Sequence, residues 1–192
     1  MKKPRNKPLN PCFSSGPTKK PDGWNVKKIE DKFLGRYHRS EDVKKFIIDI
    51  LNKTKKCLKV PEDYKIFILP GSCTGAMESV LWSSLGPRNI TSIIFDHWGD
   101  LWYKEILKLG LKIQVRKSLE GIVPKLNDIP LKNDLVFVWT GTTHGITINN
   151  IDFISPYHNG LVIADVTSAA FICDIQWKKI DISVLSWQKA LG

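Results

Sequence analysis

The sequence predicts an α/β domain built on a mostly parallel sheet covered on both faces. Three observations carry that expectation. Apolar runs of strand length alternate with amphipathic helical stretches, the pattern of repeated βαβ units. The runs "TSIIF", "DLVFV" and "GLVIADV" are apolar almost throughout instead of alternating, as strands buried on both faces are. A length of 192 residues with 42% hydrophobic content is ordinary for one sizeable folded domain.

Taken in order, residues 1–24 are rich in Pro, Lys and Gly and show no periodicity, so they read as an extended arm ahead of a domain over 25–192. An amphipathic helix is expected at about 41–58. Val43, Phe46, Ile47, Ile50, Leu51 and Leu58 follow the 3.6-residue period, Ser40 stands as N-cap, and Glu41 and Asp42 occupy the first turn. "KIFILP" reads as a strand, and "GSCTGAMESVLWSSLG" as a loop entering a helix that Gly86-Pro87 ends. Then follow the strand "TSIIF", the helix "WGDLWYKEILKLG" and the strand "LKIQVRK". Three further strands, "DLVFVWTG", "GLVIADV" and "DISVLSW", complete the alternation.

Charge and cysteine use exclude several classes. Residues 1–28 hold eight Lys/Arg against one Asp, so this arm carries +7 of the total +10 and leaves +3 on the body. A basic arm on a near-neutral body is a solvated tail and not a nucleic-acid reading surface. Cys12, Cys57, Cys73 and Cys173 are widely spaced with no CxxC pair, and the four histidines are scattered, so neither a metal site nor a disulfide framework is expected. No apolar run approaches a membrane span, and no apolar stretch follows the basic start, which reads as a cytoplasmic protein.

In open α/β sheets ligands sit beyond the carboxyl ends of the strands. The turn Gly71–Gly75 is either a tight turn or a phosphate cradle at a helix N-terminus; it has neither the P-loop lysine nor GxGxxG spacing. Asp165 ends an apolar strand, where it either caps through Thr167 and Ser168 or meets a ligand cation. Lys189 follows another strand, either solvated or, if partly desolvated, a nucleophilic amine. Trp98 either packs in the core or stacks on a planar ring. Thr142, Thr143 and His144 either bind a ligand or close a turn. His38 and Arg39, at a helix N-terminus, ask for an anionic partner. Together, a phosphate turn, an indole, a strand-end Asp and a strand-end Lys fit one cofactor, pyridoxal 5'-phosphate, which needs an anion cradle, a ring platform, a carboxylate for its ring nitrogen and an amine.

With these residues in view, the sequence resembles the phosphoserine aminotransferases, class V members of the fold-type-I pyridoxal-phosphate enzymes. The matching stretches are "FSSGPT" (13–18), "GRYHRS" (35–40), "GSCTGAMESVLWSSLG" (71–86), "WTGTTHG" (139–145), "ADVTSAAF" (164–171) and "SWQKALG" (186–192). The resemblance implies the three-layer α/β/α large domain of that fold, with the 1–24 arm belonging to a small domain whose C-terminal part is absent. It implies that Lys189 carries the cofactor covalently and shuttles the α-proton, that Asp165 keeps the ring nitrogen protonated, and that Trp98 stacks on the ring. Cys73, Thr74 and Gln188 would bind the phosphate end, Thr142 would approach the ring oxygen, and Ser15, His38 and Arg39 would meet the acidic substrate.

The implied reaction passes the amino group of glutamate to a phosphorylated 2-oxo acid, 3-phosphohydroxypyruvate, in a homodimer serving serine biosynthesis. Two departures accompany the resemblance: Cys73 stands where relatives carry Asp or Gly, and His144 where a smaller residue is expected. The stop three residues after Lys189 reads as an incomplete chain in which this lysine frays unless more follows. Two alternatives stay open: another class V enzyme, of the alanine–glyoxylate or cysteine-desulfurase type, and an inactive truncated chain.

Overall fold

The computed structural model describes residues 6, 20, 22–29, 35, 37–118 and 121–191. Most of the expected 1–24 arm therefore lies outside the described residues. A five-stranded sheet organises the rest, with strands β1 (Ile90–Ile94), β2 (Ile113–Lys117), β3 (Asp134–Val138), β6 (Val162–Asp165) and β7 (Ile182–Val184) in the order β2-β1-β3-β6-β7. Every pairing in it is parallel. A short hairpin, β4 (Thr140–Gly141) with β5 (Ile146–Thr147), branches from the end of β3. The helices are α1 (Glu41–Cys57), α2 (Ser72–Ser84) and α3 (His97–Lys108).

The three central strands are buried along their whole length, which is why their residues do not alternate in polarity. Ile90, Ile93, Leu135, Phe137 and Ile163 are all at most 1% exposed and form the core with Met77 and Leu81 of α2 and Trp102 and Ile106 of α3. The chain runs β1-α3-β2 to one side and then returns to β3 on the other side of β1. Strand order therefore reverses between β1 and β3, and the crevice at their carboxyl ends is where such sheets place a ligand.

Two expectations differ from the structure. Residues 65–70 form no strand, because their backbone has no ladder partner among the described residues. A groove of about 960 Å³ separates them from the outer edge of β7, with Phe67, Ile68 and Leu69 exposed at its wall. Ser40 does occupy the N-cap of α1, yet its side chain makes no capping hydrogen bond. The helix face predicted to be apolar is only partly covered, with Phe46 39% exposed and Thr54 the single buried residue of α1.

Candidate functional site

Four strand or helix ends converge on a cavity of about 200 Å³ at the carboxyl edge of the sheet. The first is the start of α2. Gly71 is its N-cap in the left-handed region (φ +92°), a conformation glycine reaches without penalty. Ser72 follows at φ +63°, strained for a residue with a side chain. Ser72, Cys73 and Thr74 of the first turn form one wall of the cavity, which sets the positive end of the helix dipole beside it; the Thr74 N–H donates to Ser72 Oγ at 3.3 Å.

The second is Asp165, the last residue of β6 and only 7% exposed. Its carboxylate is held at both oxygens: Oδ1 accepts the Thr167 N–H at 3.0 Å and Oδ2 accepts the Trp102 indole N–H at 3.0 Å. The Cys73 thiol lies 3.9 Å from Oδ1 and 2.6 Å from the Thr167 hydroxyl. Burial, and after it the Asp165 charge, push this thiol from its ordinary 9.0 up to about 12, so it is a neutral S–H near pH 7. Of the two readings of Asp165 left open by the sequence, the first is seen in its Thr167 contact; the carboxylate also lines the cavity.

The third is the turn from β1 into α3. Asp96 is the N-cap, its side chain accepting the Trp98 N–H at 3.3 Å. Trp98 lines the cavity and leans on Trp102 one turn later, their ring centroids 6.4 Å apart. The fourth is the segment after β3, where Ser168 Oγ contacts Thr140 Oγ1 at 2.5 Å and Thr142 Oγ1 at 2.6 Å, giving the cavity a hydroxyl-bearing wall.

Lys189 reaches the same cavity from the turn that follows β7, with exposed Gln188 at its rim. The expected fraying of that turn meets a specific restraint: the Trp187 indole N–H donates to Thr54 Oγ1 of α1 at 3.1 Å, and Leu191 N–H donates to the Trp187 carbonyl at 3.0 Å.

The structure therefore brings together seven of the residues singled out in the sequence, Cys73, Thr74, Trp98, Thr142, Asp165, Gln188 and Lys189. It does not bring His38 and Arg39 to them; both are exposed just ahead of α1 and line neither the cavity nor the apolar groove. Ser15 lies outside the described residues. Cys73 presents its side chain toward Asp165 and Thr167 and only its backbone to the first turn of α2. Trp102 and Thr140 were not foreseen as part of the site, and Thr167 and Ser168 were foreseen only as capping partners of Asp165. The four-residue spacing of Trp98 and Trp102, one above the other on α3, was the available signal for the first of them. Among the described residues no group of three or more His, Cys, Asp or Glu is placed to hold a metal ion.

No family model matches the chain. It is 42% identical, over 99% of its own length, to the phosphoserine aminotransferase of Methanosarcina barkeri, and spans 52% of that relative. Its fold is similar to that of a phosphoserine aminotransferase from Cytophaga hutchinsonii, with a TM-score of 0.78 over 87% of this chain and 47% of that one, at 20% identity. A pyridoxal-phosphate-bound phosphoserine aminotransferase from Trichomonas vaginalis is similar over 94% of this chain and 54% of its own, with a TM-score of 0.71 at 17% identity.

Proposed function

We propose, for a chain that belongs to the phosphoserine aminotransferase family and spans about half the length of the curated relative it matches, that the cavity binds pyridoxal 5'-phosphate. It serves the transfer of an amino group from glutamate to 3-phosphohydroxypyruvate, giving phosphoserine and 2-oxoglutarate. The observation that carries this reading is that one small cavity gathers Lys189, Asp165, Trp98 and the first turn of α2.

The residues fit the cofactor group by group. The N–H groups and dipole of α2 suit a phosphate dianion. Trp98 offers a flat apolar face to a ring. Asp165 already accepts one N–H at each oxygen and keeps acceptor capacity for a third, from a protonated ring nitrogen. Lys189 brings an amine into the same space. When bound, the cofactor supplies an electron sink for the carbanion formed next to the amino group.

The chain's own groups do the rest. Asp165 holds the proton on the ring nitrogen, which is what makes the ring electron-withdrawing. With the cofactor bound, the Lys189 amine would remove and return the proton at the substrate α-carbon. The Thr142 hydroxyl, 2.6 Å from Ser168 Oγ, would donate to the ring oxygen when Ser168 donates to it. The first turn of α2, with Gln188 at the rim, fixes the phosphate end. Arg39, exposed ahead of α1 and outside the cavity lining, with His38 beside it, is the side chain proposed to meet an acidic group of the substrates. The reading carries a cytoplasmic homodimer; none of the described helices is long and apolar enough to cross a membrane.

The intact protein, saturated with pyridoxal phosphate, should form phosphoserine from glutamate and 3-phosphohydroxypyruvate, and Lys189→Ala and Asp165→Asn should each abolish it. Turnover with alanine and glyoxylate but not with these substrates would move the protein to another branch of the aminotransferases.

A further inference from the structure

We propose that Asp96 and His144 form a positioning pair that sets the spacing of the two walls between which a planar ring is held; the ligand rests on the reading of the cavity as a pyridoxal-phosphate site. Asp96 is 2% exposed and its side chain is wholly buried. Three donors surround its carboxylate. Oδ2 accepts the Trp98 N–H at 3.3 Å, while Oδ1 accepts the His144 backbone N–H at 3.3 Å and the ring Nδ1–H of His144 at 2.7 Å.

One carboxylate thereby ties together segments that leave the ends of different strands. The turn after β1 carries Trp98, and the turn between β4 and β5 carries Thr142 close to His144. Trp98 and Thr142 line the cavity, whereas Asp96 and His144 are not among its lining residues, so the pair acts through them. Gly141 shows how tightly the parts are pressed: a β-carbon there would lie 2.7 Å from Asp96 Cβ and 2.8 Å from Ile146 Cγ2. A buried carboxylate in such a place is costly without its donors, and the His144 ring is its closest one. Removing the ring leaves the Asp96 carboxylate held to that turn by the longer His144 backbone hydrogen bond, and loosens Thr142 relative to Trp98. The pair also gives His144 a task that a residue with no donor at the Nδ1 position could not perform.

The test uses the intact protein and pyridoxal 5'-phosphate as the probe, read by dissociation constant and by the absorbance of the bound cofactor. His144→Ala should weaken binding by about tenfold and shift the band. His144→Asn, whose amide nitrogen sits where Nδ1 was, should return both to near wild type; His144→Gln, whose amide sits where Nε2 was, should behave like the alanine variant. The Asn and Gln pair decides the matter even if the alanine variant fails to fold. Wild-type affinity and spectrum in both His144→Ala and His144→Gln would overturn the proposal while leaving the cofactor reading intact. If the wild-type protein binds no pyridoxal phosphate, the cofactor reading fails. The pair is then judged from Trp98 emission, taken as the difference between otherwise identical proteins with and without Trp98→Phe. That emission must change on His144→Gln and recover on His144→Asn, and an unchanged spectrum refutes the pair.

Discussion

Replacing Trp102 by Phe removes one atom group that matters, the indole N–H held at 3.0 Å against Asp165 Oδ2. Trp102 is 1% exposed and Asp165 7%, so water does not replace the lost donor freely. A hydrogen bond to a charged acceptor contributes about 1.5–3 kcal/mol, and the smaller ring adds about 1 kcal/mol of lost packing. The expected destabilisation is therefore about 3 kcal/mol, measured by urea unfolding of matched proteins. The carboxylate keeps only the Thr167 N–H as a fixed donor and can turn about it. Pyridoxal phosphate should then bind about tenfold more weakly, its ring nitrogen less firmly protonated. Trp98→Phe is the control: Trp98 is only partly buried and its indole does not hold Asp165, so its loss should affect ligand affinity and leave stability within about 1 kcal/mol. Unfolding of Trp102→Phe within about 0.5 kcal/mol of wild type, with unchanged cofactor affinity, would refute the claim that the indole holds the carboxylate.

Three further outcomes follow from the same geometry. Cys73 should resist alkylation at pH 8 while exposed Cys57 reacts, because the reactive form is the thiolate and the Cys73 thiol keeps its proton up to about pH 12. Its folded value lies above the unfolded one of 9.0, so the stability this adds is complete below pH 9 and is lost as pH rises toward 12. Gly160→Ala would place a β-carbon 1.9 Å from the Asn133 carbonyl oxygen, a backbone atom at the entrance to β3, and should cost about 3 kcal/mol or more in urea unfolding. Thr54→Val removes the acceptor for the Trp187 indole and should cost about 1 kcal/mol while speeding proteolysis of the turn that carries Lys189.

What the sequence reveals of this fold divides along a physical line. The central strands were legible because their residues are apolar on both faces, and α3 because its stretch is amphipathic; the Asp96 cap is a finding of the structure. The strand expected at 65–70 was not, since strand character depends on a partner ladder that local sequence does not encode. That Lys189 and Asp165 line a cavity could be anticipated, because strand ends are where an α/β sheet presents its ligands. The distant pairings could not: Trp102 is 63 residues from Asp165, and His144 is 48 from Asp96. Such pairs are joined by the crossing of chain segments, which no period or spacing reports. His38 and Arg39 show the converse, since a helix N-terminus marks where an anion would be welcome without saying whether a cavity lies there.

The central claim is that Lys189 is the covalent anchor of a cofactor held by Asp165 and α2. The direct measurement is to incubate the intact protein with pyridoxal 5'-phosphate, reduce with borohydride, digest, and map the modified lysine by mass spectrometry. The account predicts a single dominant phosphopyridoxyl adduct on Lys189, weakened in Asp165→Asn and absent in Lys189→Ala. Label spread over exposed lysines, or an unchanged yield in Lys189→Ala, would contradict it.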